Sequence, residues 1–363
     1  MELRNVLVTG GAGFIGSNFV RHLLRHDPSV RVVTLDALTY AGSERNLDRL
    51  PDPARHAFVR GNICDAAAVR ELLDRRRIDT IVHFAAETHV DRSIRDPEGF
   101  VRTNVLGTFT LLDAARRVWL EGQRASPEER RFHHVSTDEV YGSLAPGGPA
   151  FREDTPYRPN SPYAASKAAS DHLVRAFAQT YGLPVTITNC SNNYGPFQFP
   201  EKLIPLMILN ALEGRPLPVY GDGKQIRDWL YVEDHCEAIR LVVRRGRLGE
   251  IYNVGGGNQP ANIDIVKSIC SLLDELRPDS PHRPHEKLIA HVADRPGHDR
   301  RYAMDAAKIR TDLGWAPREG LDSGLRKTVG WYLENLDWVQ AVRTEPRYRE
   351  WLQANYGERG GKT

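Results

Sequence analysis

The chain opens on a short apolar run, Asn5–Thr9. It passes directly into Gly10-Gly11-Ala12-Gly13-Phe14-Ile15-Gly16 and then into apolar residues at helical spacing, Phe19, Val20, Leu23 and Leu24. Few architectures accept that order. A strand that turns at glycine into a helix presents backbone N–H groups where a pyrophosphate can sit. Glycine permits both the tight turn and the close approach of the ligand. A second strand, Arg31–Leu35, ends in Asp36 about twenty residues past the last glycine, where an acidic side chain meets a ribose. A carboxylate there accepts hydrogen bonds from a 2′-hydroxyl and repels a 2′-phosphate. The expected cofactor is therefore NAD rather than NADP.

The pattern then repeats. Phe58–Ile63 reads as a third strand with Asn62 and Ile63 at its carboxyl end, Ala66–Leu73 as a helix, and Thr80–Ala86 as a fourth strand. Asn104–Ala115 reads as a long helix, Glu121–Arg131 as a polar surface connection, and Leu183–Thr188 as a further strand. Asn189–Pro196 is a turn dense in amide side chains. Alternating strands and helices without an internal repeat predict an α/β fold with a doubly wound parallel sheet. Beyond Pro196 the elements shorten, Glu233–Arg244 and Ile263–Leu276 are helical, and Glu250–Val254 is a strand able to return to the sheet. The expected organisation is an NAD-binding domain over 1–190, with 228–258 returning. A smaller, interleaved α/β domain over 191–227 and 259–363 binds the substrate.

At 363 residues with a net charge of +2, and with basic residues interspersed among acids, the chain offers no surface for nucleic acid. No apolar run reaches membrane-spanning length, and no signal peptide precedes the first strand, so a cytoplasmic protein is expected. The four cysteines, Cys64, Cys190, Cys236 and Cys270, form no C-x-x-C pair. They are expected to be reduced core thiols, with no metal.

The chemistry concentrates in Phe132–Gly142 and Tyr163–Lys167. An apolar run delivers Ser136, Thr137, Asp138 and Glu139 in succession, and Tyr163 and Lys167 follow on one face of a helix. A neighbouring ammonium is expected to lower a tyrosine pKa that is ordinarily about 10. Such a tyrosine takes a proton from an alcohol while hydride leaves the same carbon, with Ser136 or Thr137 bonding the oxygen. Ketone formation acidifies the adjacent C–H. Asp138 and Glu139 then supply an acid and a base if their surroundings push the two pKa values apart. Successive strand residues face opposite ways, so both reach one substrate only where the strand ends and the backbone turns. His83 and His89 are read as structural.

These motifs resemble the extended short-chain dehydrogenase/reductases, and within them the dTDP-glucose 4,6-dehydratases. The likeness runs through Thr9–Ser17, Ala85–Ser93, Ser136–Gly142, Tyr163–Lys167, Asn189–Pro196, Pro200–Pro205, Arg227–Trp229 and Asp294–His298. The Thr-Asp-Glu triplet is the most specific part. The resemblance implies a Rossmann-type fold and tightly bound NAD, with dTDP-glucose as substrate. In it Tyr163 and Lys167 carry the C4 oxidation, Thr137 bonds the C4 oxygen, Glu139 removes the C5 proton and Asp138 protonates the departing 6-hydroxyl. For NAD it points to Phe14, Ile15, Asp36, Thr39, Asn62, Ile63, Ala85, Thr103 and Asn193, beside Gly10, Gly13, Gly16, Tyr163 and Lys167. For the nucleotide-sugar it points to Thr88, Thr137, Asn192, Lys202, Leu203, Pro218, Tyr220, Arg227, Asn262, Arg295 and His298, with Tyr356 closing over the base. Arg227 and Arg295 also have a physical case, since guanidinium clamps a diphosphate with several donors.

The family usually has Asp where this chain has Asn62, whose amide oxygen is still able to accept from the adenine amino group. Loop 143–159 is shorter than in some members. Members are commonly dimers that pair the helices around Asn104–Ala115 and Tyr163–Tyr181. The competing readings are a nucleotide-sugar 4-epimerase or decarboxylase, against which Asp138 and Glu139 argue, and a non-catalytic NAD-binding regulator, which has no need of the acid pair.

Overall fold

The computed structural model describes residues 1–122, 129–294 and 298–344. The first six strands of the chain are β1 (Asn5–Thr9), β2 (Arg31–Asp36), β3 (His56–Arg60), β4 (Thr80–His83), β5 (Arg131–Thr137) and β6 (Val185–Cys190). After them come β7 (Asn192–Tyr194), β8 (Leu217–Tyr220), β9 (Trp229–Tyr231), β10 (Ile251–Val254) and β11 (Ile289–Val292). The sheet has seven parallel strands in the order β10-β6-β5-β4-β1-β2-β3. That order reverses direction beside β1, which is where doubly wound sheets open a crevice at the carboxyl ends of their strands. The expected return of the strand near Val254 is met by β10, whose Asn253 pairs with Asn189 of β6.

Both faces of the sheet are covered, and the strand residues sort onto them by the period of two. On one face Leu7, Leu35, Ile81, Phe132 and Ile187 pack with Leu73, Leu111, Val174 and Phe177. These come from helices α2 (Ala66–Arg75), α5 (Thr108–Ala115) and α6 (Pro162–Tyr181); α1 (Phe14–His26) precedes them, and α3 (Val90–Arg95) and α4 (Pro97–Phe100) lie between α2 and α5. On the other face Val6, Val8, Val32, Val82 and Val135 meet Phe19 and Leu23 of α1 and Cys236 and Ile239 of α8 (Val232–Arg245). A separate core joins α7 (Leu203–Leu212), α9 (Asn262–Leu276), α11 (Leu321–Glu334) and α12 (Leu336–Thr344), through Met207, Ile265, Leu325 and Val339 among others. The short α10 (Ala307–Leu313) packs under β10, where Ile309 meets Val254.

Several element boundaries differ from the sequence reading. The third strand starts earlier, at His56, and stops at Arg60, so Asn62 and Ile63 lie beyond it. The fourth ends at His83, and Phe84–Ala86 leave the sheet as the wall of a cavity. The helix expected over Asn104–Ala115 is the middle of a longer run, with π-helical turns at Val101–Gly107 and Arg116–Glu121 on either side of α5. The Asn189–Pro196 turn contains the short strand β7, paired with β9. Residues 123–128 of the expected surface connection lie outside the described residues. All four cysteines are free, but only Cys190, Cys236 and Cys270 are buried, because Cys64 sits half-exposed in the turn after Asn62. Among the described residues no helix is long and apolar enough to cross a membrane.

Candidate active site

One cavity runs along the carboxyl ends of β1, β2, β4 and β5. Its first half is the glycine loop. Gly10 holds φ +70, and a Cβ there would lie 2.6 Å from the Ala85 nitrogen, while one on Gly16 would lie 2.2 Å from the Gly10 carbonyl oxygen. Only glycine lets β1, the loop and the post-β4 segment approach so closely. Helix α1 begins at Gly13 with no side chain capping it, and Gly13, Phe14, Ile15 and Gly16 all line the cavity. The first-turn N–H groups of α1 thus point to an open, anion-attracting end. Asp36, Thr39, Asn62, Ile63, Ala85, Thr103 and Asn193 line the same space. The donor set fits a dinucleotide.

Two of these side chains also brace the loop. Asp36 accepts from Ala12 N at 2.9 Å and from Leu38 N at 2.8 Å, one bond to each oxygen, and burial raises its pKa. It therefore ties the glycine turn to β2 with lone pairs to spare for a ribose. The Asn62 oxygen accepts from Cys64 N at 2.9 Å, so the amide caps its own turn as well as facing the cavity. Gly16→Ala is expected to leave the protein folded and abolish retention of NAD through purification, read from the nucleotide released on denaturation. A fully loaded variant would contradict the loop assignment.

The second half of the cavity is built where β5 ends. Thr137 keeps extended backbone, and its hydroxyl oxygen accepts from Glu139 N at 3.3 Å, starting a single helical turn over Asp138–Tyr141. That change of path lets Asp138 and Glu139 line one cavity instead of opposite faces of a sheet. The far end of the turn is held by Tyr141, whose hydroxyl donates to Asn253 Oδ1 at 2.8 Å and accepts from Asn189 Nδ2 at 2.9 Å. Asp138 is 1% exposed whereas Glu139 is half-buried. Burial holds the Asp138 carboxyl well above the usual range; Glu139 and Asp228 reinforce the shift, and Arg227 and Thr137 oppose it. The two adjacent acids thus occupy different surroundings.

Helix α6 supplies the remaining pair. Ser161 accepts from Ala164 N at 3.1 Å, Pro162 opens the helix, and Tyr163 and Lys167 face the cavity from consecutive turns. The expected lowering of the Tyr163 pKa by Lys167 is not observed. Burial pushes the phenol well up, Glu139 adds to that, and the nearby Thr137 hydroxyl pulls the other way. The ammonium is engaged beneath the phenol: it donates to the Val135 carbonyl at 2.8 Å and lies 3.3 Å from His134 Nε2.

Of the residues expected to hold a nucleotide-sugar, Thr88, Thr137, Asn192 and Lys202 line this cavity. Leu203 opens α7 immediately after Lys202. A second group gathers around β8. Pro218 and Tyr220 lie on that strand, the His298 ring meets Tyr220 edge-on, and His298 Nδ1 is 2.6 Å from Asp294. Gln225 donates to Asp294 at 2.9 Å and its carbonyl accepts from Asn262 N at 2.9 Å. Arg227 lies between the two groups. It is buried, stacked 4.3 Å over Tyr302, and donates to the carbonyls of Ile226 and Asp299 at 2.8 and 2.9 Å. Arg295 and Tyr356 lie outside the described residues.

Glu87, Cys190, Ser191 and Glu201 also line the cavity, although the sequence singles out none of them for the site; Ser136, the alternative to Thr137 at the reacting oxygen, lines it too, with its hydroxyl donating to Asp171 at 2.8 Å. Glu201 is 4% exposed and its pKa is pushed up to about 7 by burial, with Arg92 and His89 approaching only to 3.7 and 3.9 Å. The signal was present as one carboxylate beside Lys202 at the head of the apolar run 203–212. His83 is structural as expected, bridging Thr9 at 2.7 Å and Thr108 at 3.0 Å.

Comparison with known proteins agrees with this geometry. Residues 7–328 match the family model described as GDP-mannose 4,6 dehydratase. The dTDP-glucose 4,6-dehydratase of Neisseria meningitidis serogroup B is 58% identical over 342 residues, 94% of this chain and 96% of that protein. The solved dTDP-glucose 4,6-dehydratase of Streptomyces venezuelae, with NAD bound, superposes with a TM-score of 0.84 at 48% identity, covering 93% of this chain and 99% of the other. That of Bacillus anthracis, in complex with NAD, gives 0.82 at 44% over the same shares. The chain belongs to the dTDP-glucose 4,6-dehydratase family of the extended short-chain dehydrogenase/reductases.

Proposed function

We propose that the chain converts dTDP-D-glucose to dTDP-4-keto-6-deoxy-D-glucose and water, using tightly held NAD. The observation that carries this reading is the turn after Thr137, which sets a fully buried acid and a half-buried one beside Tyr163. Alcohol oxidation or epimerisation has no use for two adjacent carboxyls in different surroundings. Elimination of water requires a base and an acid at neighbouring carbons.

Tyr163 takes the proton from the sugar 4-hydroxyl as its phenolate, with Thr137 bonding the same oxygen. Burial disfavours the phenolate in the protein alone, and the positive charge of bound NAD beside Lys167 would favour it. NAD, when bound, supplies a temporary acceptor for the C4 hydride, which is given back at C6. The positive charge that the chain itself brings to this end of the cavity is Lys167. The ketone at C4 acidifies the C5 hydrogen, and Glu139 removes it. Asp138, kept protonated by burial, gives its proton to the departing 6-hydroxyl. Glu139 then returns a proton to C5. Thr88, Asn192, Lys202, Leu203, Pro218, Tyr220, Arg227, Asn262 and His298 hold the nucleotide-sugar, Arg227 acting at the diphosphate end nearest the reacting carbons. The NAD-binding part is residues 1–190 with 228–258, and the nucleotide-sugar part is 191–227 with 259–363. The protein works in the cytoplasm.

The same reading brings a homodimer. On the outer side of the π-helical turn and α5, Val101, Leu106 and Phe109 are 55%, 46% and 43% exposed, around a groove completed by Val105 and Leu173 of α6. Contiguous apolar side chains of this kind are buried against a partner in stable assemblies. A second copy of this chain presents the same self-complementary patch.

Two outcomes follow. Glu139→Gln is expected to reduce bound NAD on addition of dTDP-glucose while formation of the 4-keto-6-deoxy product falls about 100-fold or more, read by nicotinamide absorbance and by the alkaline absorbance of the ketone. Unimpaired product formation would remove Glu139 as the base. The double substitution Leu106→Asp with Phe109→Asp is expected to give a folded monomer in sedimentation equilibrium. An unchanged dimer would place the interface elsewhere, and a monomeric parent protein would remove it.

A further inference from the structure

The segment that follows Asp36 closes one side of the cavity half that fits a dinucleotide. Ala37, Thr39, Tyr40, Ala41 and Gly42 all line that space. The chain folds back so tightly that a Cβ on Gly42 would lie 2.9 Å from Asp36 Oδ1. From Ser43 onward the segment is anchored. The Ala12 carbonyl of the glycine loop accepts from Ser43 N at 3.1 Å and from Asn46 Nδ2 at 2.8 Å. Asn46 is 2% exposed, and its side-chain oxygen accepts from Trp338 Nε1 at 2.8 Å. Arg21 of α1 donates to the carbonyls of Asn46 and Arg49 at 2.9 and 3.0 Å. Trp338 lies 292 residues further along the chain, in α12, and its ring packs against Phe197, Trp331 and Tyr332.

We propose that Trp338, acting through Asn46, locks residues 37–46 as a strap over bound NAD and so sets how long the cofactor stays on the protein. The proposal rests on the dehydratase reading, in which the cofactor regains its oxidised form in every turnover and has no need to leave. The residues that line the cavity face the cofactor but do not hold the strap down. The Ala12 peptide does that. Its N–H is taken by Asp36 and its carbonyl by Ser43 and Asn46, so the glycine loop, the end of β2 and the strap are tied at one point. Trp338 completes the tie from outside the main sheet, because it belongs to the core shared by α7, α9, α11 and α12. With the indole in place, every polar atom of the buried Asn46 side chain is bonded while the strap is closed. Without the indole N–H, the Asn46 oxygen is buried and unpaired in the closed form and hydrated once the strap lifts. The balance then moves toward opening. Trp338 and Asn46 are positioning residues and line no part of the cavity.

The test follows escape of NAD from the full chain in the absence of sugar substrate. Radiolabelled NAD is bound, chased with excess unlabelled NAD, and the retained label is counted over time. Trp338→Phe keeps an aromatic ring and removes the N–H, and its loss of label is expected to be about tenfold or more faster than in the unaltered protein. Asn46→Ala is expected to speed loss at least as much, and adding Trp338→Phe to it is expected to change the rate by no more than about twofold. Trp331→Phe alters the same aromatic cluster without touching the Asn46 bond, and is expected to stay within about twofold of the unaltered rate. Unchanged loss in Trp338→Phe, equal acceleration in Trp331→Phe, or effects that multiply in the double variant would overturn the lock. If Asn46→Ala does not fold, the comparison of Trp338→Phe with Trp331→Phe decides. An unaltered protein that loses its label within the mixing time overturns tight holding of NAD and the lock together. No product forms in this assay, so failure of the lock is distinct from failure of the dehydratase reading, which the Glu139→Gln measurement tests.

Discussion

A single threonine hydroxyl decides what this cavity can do. Thr137 is the last residue of β5, and by accepting the Glu139 N–H it converts a strand into a helical turn within one residue. A cap of this kind contributes about 1 kcal/mol, small against the whole fold. Here its effect is geometric. Without the turn, Asp138 and Glu139 would point to opposite faces of the sheet, one into α6 and one into α8. With it, both carboxyls enter the space above the Tyr163 phenol. Tyr141, tied to Asn253 and Asn189, fixes the other end of the turn to β10 and β6. The returning strand β10 thus does more than widen the sheet.

Different burial then puts the two acids in different electrostatic surroundings. Asp138 is enclosed, and desolvation there disfavours the charged form. Glu139 stands nearer the open cavity. Two carboxyls that close cannot both ionise without cost, and the enclosed one yields. Arg227 limits how far that goes, because its guanidinium opposes the shift while stacked on Tyr302. The electrostatics of Asp138 and the packing of Asp299 and Tyr302 therefore meet at one arginine.

Much of this was legible in the sequence because local rules set it. The glycine loop, Asp36 at the end of β2, the Tyr163/Lys167 spacing and the return of β10 all follow from short-range patterns, and all lie where those patterns place them. Other features depend on partners far away in the chain. Lys167 was expected to lower the Tyr163 pKa, but Val135 and His134 of another element take hold of the ammonium, and burial governs the phenol. The strand ends at Arg60 and His83 are set by where the cavity opens, which alternation alone does not reveal. The π-helical turns beside α5 escape a reading based on a period of 3.6. Glu201 looked like any charged residue ahead of a helix until the fold buried it.

The central claim is that Asp138, the enclosed member of the adjacent pair, holds its proton at working pH. Isotope-edited infrared difference spectroscopy at neutral pH, comparing the unaltered protein with Asp138→Asn, tests it most directly. The account predicts a protonated-carboxyl band in the unaltered protein that disappears in Asp138→Asn and persists in Glu139→Gln. A spectrum in which residue 138 contributes only ionised carboxylate at neutral pH would contradict it.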